Sequence, residues 1–310
     1  MKRRITSRIS VVLLSLAVLI SFTVVVPQET YAASNTKTFY VETQISSSDV
    51  FTSSYGSNDK DSYKTTYTYG KNGLLTASKN QSGEKTVYTR NKAGYPTKVK
   101  SYGKDGKLTG ETVFKRNKNG DVTSTTAYVY NNGKKTKDYT ATFTYYGKGK
   151  QKTSTYKYTD SSYTSNYNKK GFTTKSVNVY KADGKTQKNT TTYSYKFDKK
   201  GNPVKTVATS VGPNGDKTVR TENSKYTYGS KNRIKKRVDT AKTVDSAGKV
   251  TGTETTTVTN TFDKHGNITK SVYVNNSKYT EGYSSTYKST TTYKYKAVKI
   301  AKKYWKFFQD

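Results

Sequence analysis

The pattern of apolar and polar positions divides the chain into a short apolar run near the N-terminus and a long alternating region. In segments such as "KSVNVY" (175–180) and "TTTYSYKF" (190–197), Tyr, Val and Phe take one parity and Thr, Ser and Lys take the other. Alternation with a period of two predicts β-strands whose two faces differ in polarity. The high Thr content and the frequent turns exclude a helical repeat.

Two classes of turn separate these segments and alternate along the chain. Class A turns follow an aromatic residue and carry Lys and Gly; they lie at 69–77, 91–98, 114–124, 145–154, 167–175, 197–205, 228–236 and 262–270. Class B turns are shorter; they lie at 81–86, 104–109, 131–136, 159–164, 182–187, 213–218, 246–251 and 275–280. Pairs such as "DG" and "NG" favour two-residue hairpin turns in class B.

The clearest class A copies are "FDKKG" (197–201) and "FDKHG" (262–266). Asp198 and Asp263 are expected to begin a type I turn, because Asp bonds its own downstream backbone. Gly201 and Gly266 are expected to close the turn, because Gly takes a positive φ without steric cost. These four residues are therefore interpreted as turn-defining.

Sixteen alternating turns predict an all-β protein, an up-and-down antiparallel meander of about 17 strands. Sheets of more than about ten strands curl or close. We therefore expect one large, curved, tapering sheet with its Tyr/Val face concave, or closure of that sheet into a barrel. An outer-membrane barrel is disfavoured, because its lipid-facing band would need Leu, Val and Phe where this chain has Thr and Lys.

The chain divides into four predicted regions. Residues 1–32 have a basic head, an apolar run and small residues before position 33, which indicates a signal peptide. An uncleaved anchor is the alternative, since the run is just long enough to span a bilayer. Residues 33–64 are expected to be a partly disordered lead-in segment, 65–296 the β-hairpin repeat domain, and 297–310 a basic aromatic cap or tail. The exported part is expected to be secreted or associated with the cell surface.

Charge is the strongest indication of a partner. The formal net charge is +35 and there is no cysteine. Lysines recur in the class A turns, and a row of them along one sheet edge would attract polyanions by counterion release. Cell-wall polymers, polysaccharide and extracellular DNA are the candidate partners; a solvated edge that prevents aggregation is the alternative. The row consists of Lys71, Lys92, Lys118, Lys148, Lys169, Lys199 and Lys264.

The sequence contains little that indicates catalysis. His265 is the single histidine, so a metal site built from His and Cys is excluded. There is no nucleophile elbow, phosphate-binding loop or dinucleotide fingerprint, and many of the Asp residues have a turn-forming explanation. We therefore expect no enzyme activity and no cofactor.

The segments "FDKKGN" (197–202) and "FDKHGNIT" (262–269) resemble the YD-repeat (RHS-like) class of secreted bacterial proteins. That resemblance implies successive hairpins of a long sheet. "YGKDGKLTG" (102–110) is more weakly similar to glucan- and choline-binding aromatic repeats. Together with the charge, these features predict a secreted, non-enzymatic binding or structural module that associates with anionic polymers. Sugar binding by the Tyr face, or a carbohydrate-active or toxin-related fragment, are the alternatives.

Overall fold

The computed structural model describes residues 36–54, 58–147, 149–280 and 282–308, with side chains from residue 38. The expected signal peptide at 1–32 and Lys148 lie outside the described residues. Among the described residues, no helix is long and apolar enough to cross a membrane.

Eighteen strands make up the described structure, and the first two begin where the sequence predicted a lead-in segment. Within 33–64, residues 36–53 and 58–64 lie in these two strands. The strands are β1 (Thr36–Ser53), β2 (Asn58–Tyr69), β3 (Leu75–Asn80), β4 (Lys85–Arg90), β5 (Pro96–Tyr102), β6 (Leu108–Arg116), β7 (Val122–Asn131), β8 (Lys134–Gly147), β9 (Lys150–Lys157), β10 (Ser161–Tyr167), β11 (Thr173–Ala182), β12 (Lys185–Phe197), β13 (Pro203–Val211), β14 (Lys217–Tyr228), β15 (Ile234–Val244), β16 (Val250–Phe262), β17 (Ile268–Tyr279) and β18 (Ser284–Ala301).

The sheet closes on itself. Each strand pairs antiparallel with the next along the chain, and β1 pairs with β18 from Thr36↔Ala301 to Ser53↔Ser285. The predicted antiparallel meander is confirmed, with 18 strands instead of about 17. The structure has the closed barrel, which the sequence predicted only as one of two possibilities. Closure removes the exposed strand edges that an open sheet would present.

Register fixes the shape of the ring. Following the paired residues from β1 through every ladder back to β1 displaces the register by roughly 20 residues. Such a stagger tilts the strands by roughly 40° and gives a circular ring a backbone radius of roughly 17 Å. Barrels of eight strands are filled by their own side chains, whereas barrels of 16 to 18 strands leave an aqueous channel.

The two predicted classes of hairpin turn do not differ consistently in structure. The class A turn at Asp198–Gly201 and the class B turn at Asp245–Gly248 have the same backbone bonds, from the Gly N–H to the Asp carbonyl. Two-residue turns occur at Asn132–Gly133 and Asp183–Gly184, where Asn132 and Asp183 have φ of 52° and 51°. The predicted class B turn at 275–280 is wrong, because those residues continue β17 to Tyr279.

The two faces of the ring differ sharply, as β12 shows. Residues paired across a ladder point to the same side, so the registers trace each face around the whole ring. Tyr193, Tyr195 and Phe197 are partly buried, whereas the intervening Ser194 and Lys196 are exposed. Side chains converge on the concave side of a curved sheet and shade one another, so the tyrosine side is the inner face. Small inner residues are almost completely shaded: Ala141 is 0%, Ser154 2% and Ser165 3% exposed.

The expected concave Tyr/Val face is only half right. Tyr193, Tyr195 and Phe197 lie on the inner face, but valines such as Val177, Val207 and Val238 pair with outer-face Thr and Lys. A hollow barrel has no packed centre that requires Val on the inside. Valine therefore serves as a β-former on either face.

Apolar packing concentrates at one rim, where the chain ends. β18 continues to Ala301 and a 3₁₀ helix follows at Lys302–Phe307. The Phe308 ring lies 4.9 Å from the Phe39 ring, and Trp305 Nε1 donates to the Ile300 carbonyl at 2.8 Å. Phe39 and Ile300 are 1% and 0% exposed. We call β1, β18 and residues 302–308 the seam.

Candidate functional site

The lysines predicted to bind polyanions lie in turns at the rim of the barrel that the class A turns form. The six that are described are all exposed: Lys71, Lys92, Lys118, Lys169, Lys199 and Lys264. Because the sheet closes, this edge is the mouth of a tube and not the straight border of an open sheet. The structure thus brings the lysines into a ring instead of a row.

The four turn-defining residues shape two of these turns. Asp198 Oδ1 accepts the N–H groups of Lys200 and Asn202 at 2.9 and 2.8 Å, and Gly201 has φ 84°. Asp263 Oδ1 accepts those of His265 and Asn267, both at 2.9 Å, and Gly266 has φ 89°. Both carboxylates thus accept backbone hydrogen bonds within their own turns, and Asp198 Oδ2 also accepts one from the Tyr228 hydroxyl at 2.8 Å.

Tyrosines dominate the inner wall, and several are fixed by their hydroxyl groups. Tyr145, Tyr195 and Tyr226 donate to backbone carbonyls of the preceding strand at 2.7, 2.7 and 2.9 Å. Tyr139 and Phe143 contact Tyr156 with ring centroids 5.9 Å away in each case. Burial raises the pKa of Tyr156 to about 12, with neighbouring tyrosines adding to the effect. These tyrosines are therefore neutral at physiological pH.

Charged groups interrupt this wall on β14 to β16. Arg220 contacts Glu254 through two hydrogen bonds of 2.8 and 3.0 Å, reaching across β15. Its guanidinium also lies 3.3 Å from Glu222. Arg237 and Asp239 form a neighbouring pair at 2.8 Å. Two arginines face three carboxylates here, so most of the charges are paired and one carboxylate is in excess.

Glu42 on β1 is different, because its carboxylate has neither a hydrogen-bond partner nor a cationic partner within the described part of the chain. It is the direct register partner of Tyr295 on β18. Tyr69 on β2 donates its hydroxyl to the Glu42 carbonyl. Burial raises the pKa of Glu42 to about 7. An unpaired carboxylate thus faces the lumen between two tyrosine-bearing strands.

Sequence reasoning did not single out Glu42. It lies in the segment 33–64, which precedes the first class A turn and was expected to be partly disordered. The signal that was available is the acid two residues after Tyr40 in the β-type phrase "FYVET" (39–43). Only the pairing of β1 with both β2 and β18 reveals what surrounds that acid.

Comparison with known proteins yields likeness in structure alone. No family model matches the chain, and no curated protein sequence matches it. OccK10 (OpdN) from Pseudomonas aeruginosa is 7% identical with a TM-score of 0.41, over 84% of this chain and 99% of that one. OprB from Pseudomonas putida is 8% identical with a TM-score of 0.38, over 82% and 92%. TcdB2-TccC3 is 10% identical with a TM-score of 0.29, and the chain spans 15% of its length.

The assignment to YD-repeat (RHS-like) proteins, and the weaker one to glucan- and choline-binding repeats, is wrong for this chain. The chain forms one complete ring of 18 strands, whereas the resemblance implied a long sheet of successive hairpins. A Rhodobacter blastica porin is 9% identical with a TM-score of 0.34, over 83% of this chain and 100% of that one. The predicted secreted module that binds anionic polymers, and its extracellular location, relied on an open hairpin-repeat sheet, so the closed hollow ring overturns them as well.

Proposed function

We propose that the chain is a channel-type β-barrel whose aqueous lumen admits small polar solutes. The observation that carries this proposal is the complete ring of 18 paired strands. A ring of this size and tilt leaves a free lumen roughly 20 Å wide after side chains are placed on its inner wall. Tyr, Ser, Thr and Asn line that wall, and they offer hydroxyl and amide groups to a hydrated solute.

The residues on the outer face indicate which surroundings suit the barrel. β12, β14, β15 and β17 carry lysine near both ends of their outer faces, with uncharged residues, largely Thr and Val, between. A lysine at the bilayer midplane of a barrel costs about 2–4 kcal/mol. The uncharged belt is therefore the only part of these outer faces that suits a weakly polar surrounding. The lumen exists whatever surrounds the barrel, because the ring closes on its own hydrogen bonds.

Thiol accessibility tests whether the lumen is open. The chain has no cysteine, so a single substitution supplies a unique thiol. Ala208 faces inward and Thr209 faces outward on β13, and both are partly buried. Ala208→Cys and Thr209→Cys would be treated with N-ethylmaleimide and with maleimides on polyethylene glycol chains of increasing length. We expect the small reagent to modify both thiols, and the longest reagents to modify only the outer one.

Two results would contradict a solute-admitting lumen. If Ala208→Cys were unreactive toward N-ethylmaleimide while Thr209→Cys reacted, the barrel would be filled. If both thiols reacted equally with the longest reagents, the ring would be open or unfolded in solution. Circular dichroism of both variants, expected to match that of the unsubstituted protein, is the control for folding.

A further inference from the structure

Glu42 lies between two pairs of tyrosines on the inner face. Tyr293 and Tyr295 flank it on β18, where Glu42↔Tyr295 is a direct register pair. On the other side, β1 pairs with β2 up to Gln44↔Thr66, so Tyr67 and Tyr69 of β2 lie next to the segment that holds Glu42, and the Tyr69 hydroxyl donates to the Glu42 carbonyl. Four aromatic rings on two strands therefore surround one carboxylate.

Electrostatics agrees with that placement. Burial raises the pKa of each of the four tyrosines, and the negative charge of Glu42 raises each pKa further. A carboxylate influences all four hydroxyl groups only if it lies close to them. Each of the five side chains is partly buried and partly exposed, so the cluster stays accessible from the lumen.

Two of the rings are held in place by hydroxyl contacts that point away from the carboxylate. Tyr69 donates to the Glu42 carbonyl, and Tyr295 donates to the Ile268 carbonyl at 2.9 Å. These hydroxyl groups satisfy backbone acceptors, so they do not neutralise the Glu42 side chain. Lys296 Nζ lies 5.9 Å from the centre of the Tyr69 ring.

We propose that Glu42 and the rings of Tyr67, Tyr69, Tyr293 and Tyr295 form a binding site for a small organic ammonium cation in the lumen. Aromatic faces attract cations through their quadrupole, and quaternary ammonium groups are bound in this way in aromatic cages. The carboxylate supplies the counter-charge that its surroundings lack. Inorganic cations are less well suited, because the donor set holds one carboxylate and no cluster of oxygen ligands. The site rests on the proposed open lumen.

Calorimetric titration with tetramethylammonium chloride tests the site. The expected result is saturable binding by the unsubstituted chain and at least tenfold weaker binding by Glu42→Gln. The matched control is Asp49→Asn, which removes an inner-face carboxylate from the same strand and is expected to bind as the unsubstituted chain does. A titration with 3,3-dimethylbutanol, a neutral molecule of similar shape, is expected to show much weaker binding.

The pH dependence gives a second readout, since tetramethylammonium keeps its charge at every pH. The titratable groups around Glu42 are the four tyrosines, with Tyr63, Tyr88 and Arg90 beyond Tyr67 and Tyr69, Asp263 beyond Tyr295, and His265 stacked on Tyr40. Glu42 becomes charged as the pH rises through about 7. Affinity is therefore expected to rise between pH 6 and pH 8 in the unsubstituted chain (a range about one unit either side of that pKa) and to stay constant in Glu42→Gln.

The outcomes separate this site from the lumen itself. Equal binding by the unsubstituted chain and Glu42→Gln, or no pH dependence, would overturn the cation site. If Ala208→Cys still reacted with N-ethylmaleimide in that case, the open lumen would stand and only the cation site would fail. An unreactive inner thiol together with absent binding would instead contradict both.

Discussion

The seam and the opposite wall of the barrel are stabilised in different ways. At the seam, Phe39, Val41 and Ile300 are buried beneath residues 302–308, and β1 pairs with β18 over strands of 18 residues each. On the opposite wall, from β9 to β13, the residues that become buried are small and polar, such as Ser154, Ser165 and Ser176. Apolar burial supports the first region, whereas the hydrogen-bonded ladder and tyrosine contacts support the second.

This difference has a physical reason. A ring of strands is closed by its last pairing, and that pairing joins residues at opposite ends of the chain. Bringing such distant segments together costs more loop-closure entropy than forming a local hairpin. The apolar contacts at the seam offset that cost, while each local hairpin of the opposite wall needs only its turn. Substitutions should therefore be far more damaging at the seam.

The largest effect is expected for Phe39→Ala. Phe39 is 1% exposed and its ring packs against Phe308, so truncation leaves a cavity at the closing pair. Loss of a buried Phe costs about 3–5 kcal/mol. Urea unfolding followed by circular dichroism measures this loss. Val274→Ala, on the outer face of β17, is the control and is expected to cost at most about 1 kcal/mol. Equal losses in the two variants would show that the seam has no special role in stability.

Sequence reasoning found the local hairpins because each one carries its own signal. Gly201 and Gly266 lie at positions of positive φ, and alternation identifies the strand between two such turns. It could not find closure, because nothing within "SYKFDKKGNPVK" (194–205) specifies that β1 meets β18. The run of Ser46, Ser47 and Ser48 in β1 also lacks alternation, so that strand takes its order from its two neighbours.

The candidate site was missed for the same reason. Glu42 becomes distinctive only when Tyr67 and Tyr69 of β2 and Tyr293 and Tyr295 of β18 flank it, and the last two are about 250 residues away in sequence. The lysine row, by contrast, was visible because it recurs with the turns. Local repetition thus directed attention to the rim, whereas the unpaired charge lies on the inner wall.

Two glycines with nearly the same backbone conformation allow a finer comparison of the seam with the opposite wall. Gly94 has φ 90° and Gly201 has φ 84°. A Cβ on Gly94 would lie 2.6 Å from Phe307 Cε2, whereas a Cβ on Gly201 would meet no atom within 4 Å. Gly201→Ala is therefore expected to lose about 1 kcal/mol of stability, because Ala is strained in the left-handed conformation. Gly94→Ala has the same strain and also overpacks against Phe307, for a total loss of about 2–4 kcal/mol.

Differential urea unfolding of the two glycine variants measures this contrast. The double substitution Gly94→Ala with Phe307→Ala is expected to recover part of the overpacking cost, since the clashing ring is removed. If Gly94→Ala and Gly201→Ala lost the same stability, the C-terminal residues would not pack on this turn in solution.

The smallest effect is expected for a substitution at Asp263. Its turn contacts the seam through His265, whose ring stacks on Tyr40 with centroids 4.2 Å apart. Although burial opposes it, hydrogen bonds from the Asn267 amide and the backbone N–H groups of Asn267, Gly266 and His265 lower the pKa of Asp263. A lowered folded-state pKa means that the contribution is present above the unfolded value of about 3.9 and is lost as the pH falls through the folded-state value. Asp263→Ala should thus cost about 1 kcal/mol at neutral pH and progressively less below about pH 4.

Unfolding of the unsubstituted chain and of Asp263→Ala across an acid pH series tests this sign. Asp105→Ala is the control, because Asp105 lies in an exposed turn that has Lys107 in place of a buried Asn267. Its loss is expected to be smaller at neutral pH, since water replaces the lost hydrogen bond more easily at an exposed site. A cost for Asp263→Ala that grew toward low pH would reverse the sign and would mean that the protonated carboxyl, not the carboxylate, holds the turn against the seam.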